Sequence, residues 1–114
     1  MAQNGLQGPF TLSDRMIDEE VSQHCPGAYA LEDSADLVNF HVVYVGRSDT
    51  NVNNQLHVHV GSYKRFLYQY CSSAEGAFEK QCTLYHDYEP RDNPIHPQRT
   101  SSTDWKCPHC TSYA

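Results

Sequence analysis

Apolar and polar positions along the chain mark out its elements. Ser13 is a residue suited to capping, Leu12 before it can staple onto Met16 or Ile17, Val21 continues that face, and Cys25-Pro26-Gly27 ends the run. This predicts a helix over 14–23. A short apolar run, 27–31, then reads as a strand. In a second strand, 40–45, Phe40, Val42 and Tyr44 alternate with His41, Val43 and Val45, and Gly46 ends it. The polar connection Asp33, Ser34, Asp36 makes the two an antiparallel hairpin. Asp49 or Thr50 opens a second helix, with Val52, Leu56 and Val60 on one face and Gly61 closing it. Arg65 to Cys71 places Phe66, Tyr68 and Tyr70 on one side of a third strand. Ser72-x-x-Glu75 is a capping box for a last helix that runs to about Tyr88 before Pro90. On that helix Ala74, Phe78, Gln81 and Tyr85 form one stripe. The pattern predicts a small α/β domain with a three-stranded antiparallel sheet flanked by helices, over residues 13–97. Residues 1–12 read as an N-terminal arm and 98–114 as a tail packed on the last helix.

Composition narrows the class. The 114 residues suit one domain and exclude a large barrel. With 39% hydrophobic residues the core is thin, so a metal or a partner would help to fasten it. No apolar run approaches the ~20 residues of a membrane span. The start, Met1 to Gly8, has no signal-peptide character, so a cytoplasmic protein without a membrane partner is expected. In a reducing compartment the 5 cysteines suggest metal ligands or buried thiols before disulfides. Cys25 and Cys71 show no partner spacing and read as buried small hydrophobes. The net charge of −6 argues against nonspecific coating of nucleic acid.

Cys107-Pro108-His109-Cys110 has the Cys-x2-Cys spacing of a zinc knuckle and needs two more ligands. Cys82 and His86 stand at i and i+4 on the last helix and so project from one face. A structural Zn2+ on Cys82, His86, Cys107 and Cys110 would pin the tail, with His96 and His109 as spare ligands. Trp105, just before the pair, is placed to pack the tail onto the body.

Gly27-Ala28-Tyr29 and Tyr44-Val45-Gly46-Arg47-Ser48 lie on the paired strands, their tyrosines fifteen residues apart, ahead of a helix, a strand and a helix carrying a glutamate. This arrangement resembles the GIY-YIG nuclease family over roughly residues 26–97. The resemblance implies that Tyr29 and Tyr44 face one active site and handle the attacking water. It implies that Arg47 supplies a basic group, that His59 follows the helix position of the family arginine, and that Glu79 holds a divalent metal, Mg2+ or Mn2+. Asn93 matches a frequent polar residue of the site. One position departs: Gln55 stands where the family carries arginine. A guanidinium offsets charge developing on phosphate, and losing such a contact costs on the order of 10²–10³ in rate.

The leading expectation is therefore a metal-dependent endonuclease hydrolysing DNA, weakened at Gln55, with a homodimer as the form that cuts both strands. Two rivals stand beside it. One is a non-catalytic module of the same fold that binds nucleic acid or protein; the other is a zinc-dependent interaction module unrelated to nucleic acid. A positive groove past Tyr29, Tyr44 and Arg47 favours the nuclease, and an acidic or apolar groove favours the rivals. Glu79 on the far side of its helix counts against the nuclease.

Overall fold

The computed structural model of the chain describes residues 5–33 and 40–111. It is a mixed α/β fold with elements β1 (Gln7–Thr11), α1 (Asp14–Glu20), β2 (Gly27–Glu32), β3 (Tyr44–Ser48), α2 (Val52–His57), β4 (Arg65–Tyr70) and α3 (Ala74–Tyr88). The sheet has four strands in the order β1-β4-β2-β3, and every neighbouring pair is antiparallel. The three-stranded expectation is corrected by β1. Residues 7–11, read as part of a loose arm, pair along β4, and Leu6 just before them is fully buried. The arm carries few apolar residues because an edge strand exposes most of its side chains to water.

The hairpin holds, but its second strand is displaced from 40–45 to Tyr44–Ser48. Gly46 does not end β3; it pairs with Tyr29 in mid-strand. Of the connection, Ser34 and Asp36 lie outside the described residues. Among the described residues the edge of β3 is closed by side chains and loop backbone, not by another strand. Asn93 Oδ1 accepts from the Val45 amide at 2.7 Å, Asn93 Nδ2 donates to the Val45 carbonyl at 3.1 Å, and the Asp92 amide donates to the Val43 carbonyl at 2.8 Å. This satisfies an otherwise open sheet edge.

Two apolar layers cover the sheet. On one face Tyr29, Leu31, Phe66 and Tyr68 pack under Ile17 and Val21 of the α1 region and Val52 and Leu56 of α2. On the other, Ala28, Ala30, Val45 and Leu67 meet Leu84 of α3. The alanines of β2 let α3 lie close to the sheet. A third cluster, Phe78, Cys82 and Cys107 against Trp105, docks the tail onto α3 as expected of Trp105. Cys25 and Cys71 are only half-buried, not core residues.

Ser13 caps α1 and Ser73, one residue beyond the expected cap, opens α3. α1 stops at Glu20, short of the expected 23. The Glu20 carbonyl accepts from the Tyr68 hydroxyl at 2.9 Å and the Val21 carbonyl from Asn53 Nδ2 at 2.8 Å, so side chains from outside replace a further turn. Among the described residues no helix is long and apolar enough to cross a membrane.

α1 and α2 are clamped by His57. Its Nδ1 lies 2.6 Å from Asp14 Oδ1 and its Nε2 lies 2.9 Å from Asp18 Oδ1, which also accepts from Asn53. The hydrogen bond to Asp14 chiefly raises the His57 pKa, and the hydrogen bond from His57 chiefly lowers that of Asp18. The raised His57 value makes its contribution full below the ordinary histidine pKa of about 6.5 and lost as pH rises through the folded value. The lowered Asp18 value makes its contribution full above about 3.9 and lost as pH falls through the folded value. The thermal midpoint of the wild type, compared with that of His57→Gln across pH 5 to 9, should show an advantage that shrinks on the alkaline side. An advantage independent of pH would remove the charged clamp.

Candidate functional site

A cleft of ≈ 260 Å3 opens at the β3 edge, where side chains from both faces of the sheet meet. Tyr29 of β2, Tyr44, Gly46, Arg47 and Ser48 of β3, Asp49, Gln55 of α2 and Gln81 of α3 line it. The register Tyr29↔Gly46 and Leu31↔Tyr44 puts both tyrosines on one face, with ring centroids 6.4 Å apart. Tyr29 is fully buried and its hydroxyl lies 2.9 Å from His59 Nε2. His59 also packs on Tyr44, with centroids 5.1 Å apart, and Tyr44 stacks on Tyr63. The structure thus brings together Tyr29, Tyr44, Arg47 and His59 of the residues singled out in the sequence.

Glu79 is not with them. It is exposed and lines a separate cleft with Cys71, Lys80 and His109. The α3 residue that lines the cleft is Gln81, two positions on, because helical spacing puts Phe78, Gln81 and Cys82 on the buried side and turns Glu79 outward. Asn93 also falls outside the cleft, since both ends of its amide are bonded to Val45. Sequence reasoning missed Gln81 as a site residue, although its place as the polar member of an apolar stripe marked it. It missed Asp49 as well.

The electrostatics are those of a neutral cleft. Arg47 donates from Nε to Asp49 Oδ1 at 2.8 Å and from Nη1 to Gln81 Oε1 at 2.7 Å, and its guanidinium lies 5.1 Å from the Phe78 ring centroid. Its charge is matched by Asp49 and its planar fork is engaged on both sides. Gln81 Nε2 donates to the Val45 carbonyl at 3.4 Å. Burial, with Tyr44 alongside, pushes the Tyr29 phenol far above the ordinary tyrosine range, although a hydrogen bond from Gln55 works the other way. Burial likewise raises Tyr44 and lowers His59. The raised Tyr29 value and the lowered His59 value leave a protonated phenol beside a neutral imidazole at neutral pH.

The second group lies on α3 and the tail. Ligand atoms of His86, His96, Cys107 and Cys110 all lie within 4.8 Å of one another, a group that can hold a metal ion such as zinc. Cys107 Sγ is 3.4 Å from His86 Nε2, and Cys110 Sγ is 3.4 Å from His96 Nε2. His96 Nδ1 lies 2.8 Å from the Pro97 carbonyl, which assigns the proton to Nδ1 and leaves Nε2 to face the thiols. The His109 amide donates to Cys107 Sγ at 3.4 Å, a contact suited to a thiolate. The His109 ring is held by Thr83 Oγ1 at 2.8 Å and stays out of the set.

The expected set is corrected at one position: His96, a spare in the sequence reading, replaces Cys82. Cys82 is fully buried against Phe78, Cys107 and Trp105, with its thiol hydrogen-bonded to Cys107, and it lies outside the group of four. Comparison with family models, with curated proteins and with solved structures finds no match for the chain.

Proposed function

We propose that this protein is a non-hydrolytic binding module of GIY-YIG-like form whose tail is fastened by a structural Zn2+. The observation that carries the first part is the lining of the cleft, where Gln55 and Gln81 are uncharged and Arg47 is held by Asp49 and Gln81. Phosphodiester cleavage requires an activated water, charge on the phosphate and a proton for the leaving oxygen. Here Tyr29 stays protonated, Arg47 is matched by Asp49, and Glu79, the residue expected to hold Mg2+ or Mn2+, faces another cleft. The second part is supported by the chemistry of two imidazoles and two thiols, the four-ligand composition that structural Zn2+ takes. Zn2+ there would join α3 to the tail.

The neutral, hydrogen-bonding lining suits an uncharged polar side chain of a protein partner better than a phosphodiester. Duplex DNA should therefore bind only at the nonspecific level, with Kd near ~10⁻⁴ M at physiological salt, and Arg47→Ala should not change it. A fluorescence-anisotropy titration at two salt concentrations checks this. Micromolar affinity that falls steeply with salt and is lost in Arg47→Ala would overturn it in favour of nucleic acid.

A further inference from the structure

One segment, residues 97–106, joins the metal group to the cleft. His96 precedes it and Cys107 follows it, and both belong to the metal group, so a single bound ion closes the segment into a loop. The limbs are tied where Arg99 Nη1 donates to the Trp105 carbonyl at 3.0 Å. At the tip, the Thr100 carbonyl accepts from the Thr103 amide at 3.3 Å and from Thr103 Oγ1 at 2.7 Å.

That tip reaches the cleft wall. The Thr100 hydroxyl donates to Asp49 Oδ2 and accepts from Arg47 Nη2 at 3.4 Å. Trp105 adds an apolar wedge: its ring is 5.7 Å from Phe78 and 6.0 Å from the Arg47 guanidinium. Asp49 and Arg47 line the cleft, and neither Thr100 nor any metal ligand does. The loop thus stands behind the wall and holds Arg47 and Asp49 in their neutral pairing.

We propose that metal binding and the shape of the cleft are coupled through Thr100, Asp49 and Arg47, with the loop 97–106 as the coupling element. The inference rests on the reading of His86, His96, Cys107 and Cys110 as a Zn2+ centre. An ion that closes the loop removes much of its conformational freedom and presents Thr100 to Asp49 at little further cost. Coupling is reciprocal, so loosening the Thr100–Asp49 contact must weaken Zn2+ binding although neither residue touches the ion. Thr100 and Asp49 are positioning residues in this scheme. Without the ion, Arg47 and Asp49 lose their outer partner and the wall is free to rearrange.

The test uses the full chain, stripped of metal and titrated with Zn2+ against a competing chromophoric chelator. Trp105, the only tryptophan, reports loop docking by its emission. The wild type should bind one Zn2+ with a blue shift of that emission. Thr100→Val and Asp49→Asn should each weaken Zn2+ about five-fold or more, the lower end of ordinary coupling. Thr100→Ser, which keeps the hydroxyl, should restore it. Asp104→Asn, the same charge change at an exposed carboxylate of the loop, should leave wild-type affinity. Thr100→Val lies at an exposed position, so it remains informative if Asp49→Asn unfolds. One Zn2+ bound with equal affinity in wild type and Thr100→Val overturns the coupling alone. Failure of the wild type to bind Zn2+ overturns the metal reading beneath it, and the coupling with it.

Discussion

Stripping the metal from the protein should lower its thermal midpoint by about 10 °C or more and loosen residues 96–111. Structural Zn2+ sites carry apparent binding energies near ~10 kcal/mol, and that energy is folding energy where the ligands are unconnected in the unfolded chain. The apolar docking of the tail comes from Trp105 and Cys107 against Phe78 and Cys82, and its polar docking from a few bonds such as those of Thr100 and His109. A loss of only ~3 kcal/mol already moves the midpoint of a domain this size by roughly 10 °C. Cys107→Ser should reproduce the effect without a chelator, and His96→Ala should do so as well. Cys82→Ala should lower stability by a packing cost of ~1–2 kcal/mol while one Zn2+ still binds. Elemental analysis beside calorimetry decides the matter. A verified metal-free preparation that melts at the wild-type temperature would contradict the structural role, and Zn2+ lost in Cys82→Ala but kept in His96→Ala would restore the ligand set read from sequence.

Gly46→Ala should destabilise the fold strongly for a single methyl. A Cβ there would stand 2.5 Å from both Cζ and Oη of Tyr29. Retreat of the Tyr29 ring would disturb its packing, because it is buried against Tyr44 and His59. Overpacking of this kind costs ~1–3 kcal/mol, and loss of the Tyr29–His59 hydrogen bond adds ~1 kcal/mol. Urea unfolding should therefore show a loss of about 2–4 kcal/mol. Freed from the burial that lowers it, His59 should titrate closer to an ordinary histidine in NMR spectra. In a Tyr29→Ala background the same methyl should cost little, a non-additivity expected of residues in contact. Equal costs in both backgrounds would mean that Gly46 serves the strand and not the tyrosine.

These two sites also show what the sequence could and could not disclose. The three helices and strands β2 and β4 were legible because their apolar periodicity is strong and Ser13 sits where a cap belongs, with the cap of α3 one residue away from the expected Ser72. β1 was hidden: an exposed edge strand of glycine, proline and polar residues leaves no apolar alternation to read. β3 was displaced because Gly46, normally a strand terminator, is required in mid-strand to admit the Tyr29 ring. The tyrosine pair and His59 could be found from motif spacing. The polarity of α3 could not be settled by residue type alone, since Glu79 offers the right chemistry at the wrong helical angle. Gln81 lay in the apolar stripe and faced the site, a conflict between polarity and position that pointed to it. The tail pair Cys107 and Cys110 was plain from spacing. Choosing His96 over Cys82 needed the rotation of α3 and the path of residues 94–97, which follow from tertiary packing and from no local pattern.

The central claim is that the cleft between the tyrosines does not hydrolyse phosphodiesters. A supercoiled-plasmid nicking assay with Mg2+ or Mn2+ tests it most directly, run on the purified chain beside Tyr29→Phe and Gln81→Ala prepared in parallel. The account predicts no nicking by the wild type above the level of either variant, with each metal. Metal-dependent nicking by the wild type that disappears in Tyr29→Phe and Gln81→Ala would contradict it and return the protein to the nucleases.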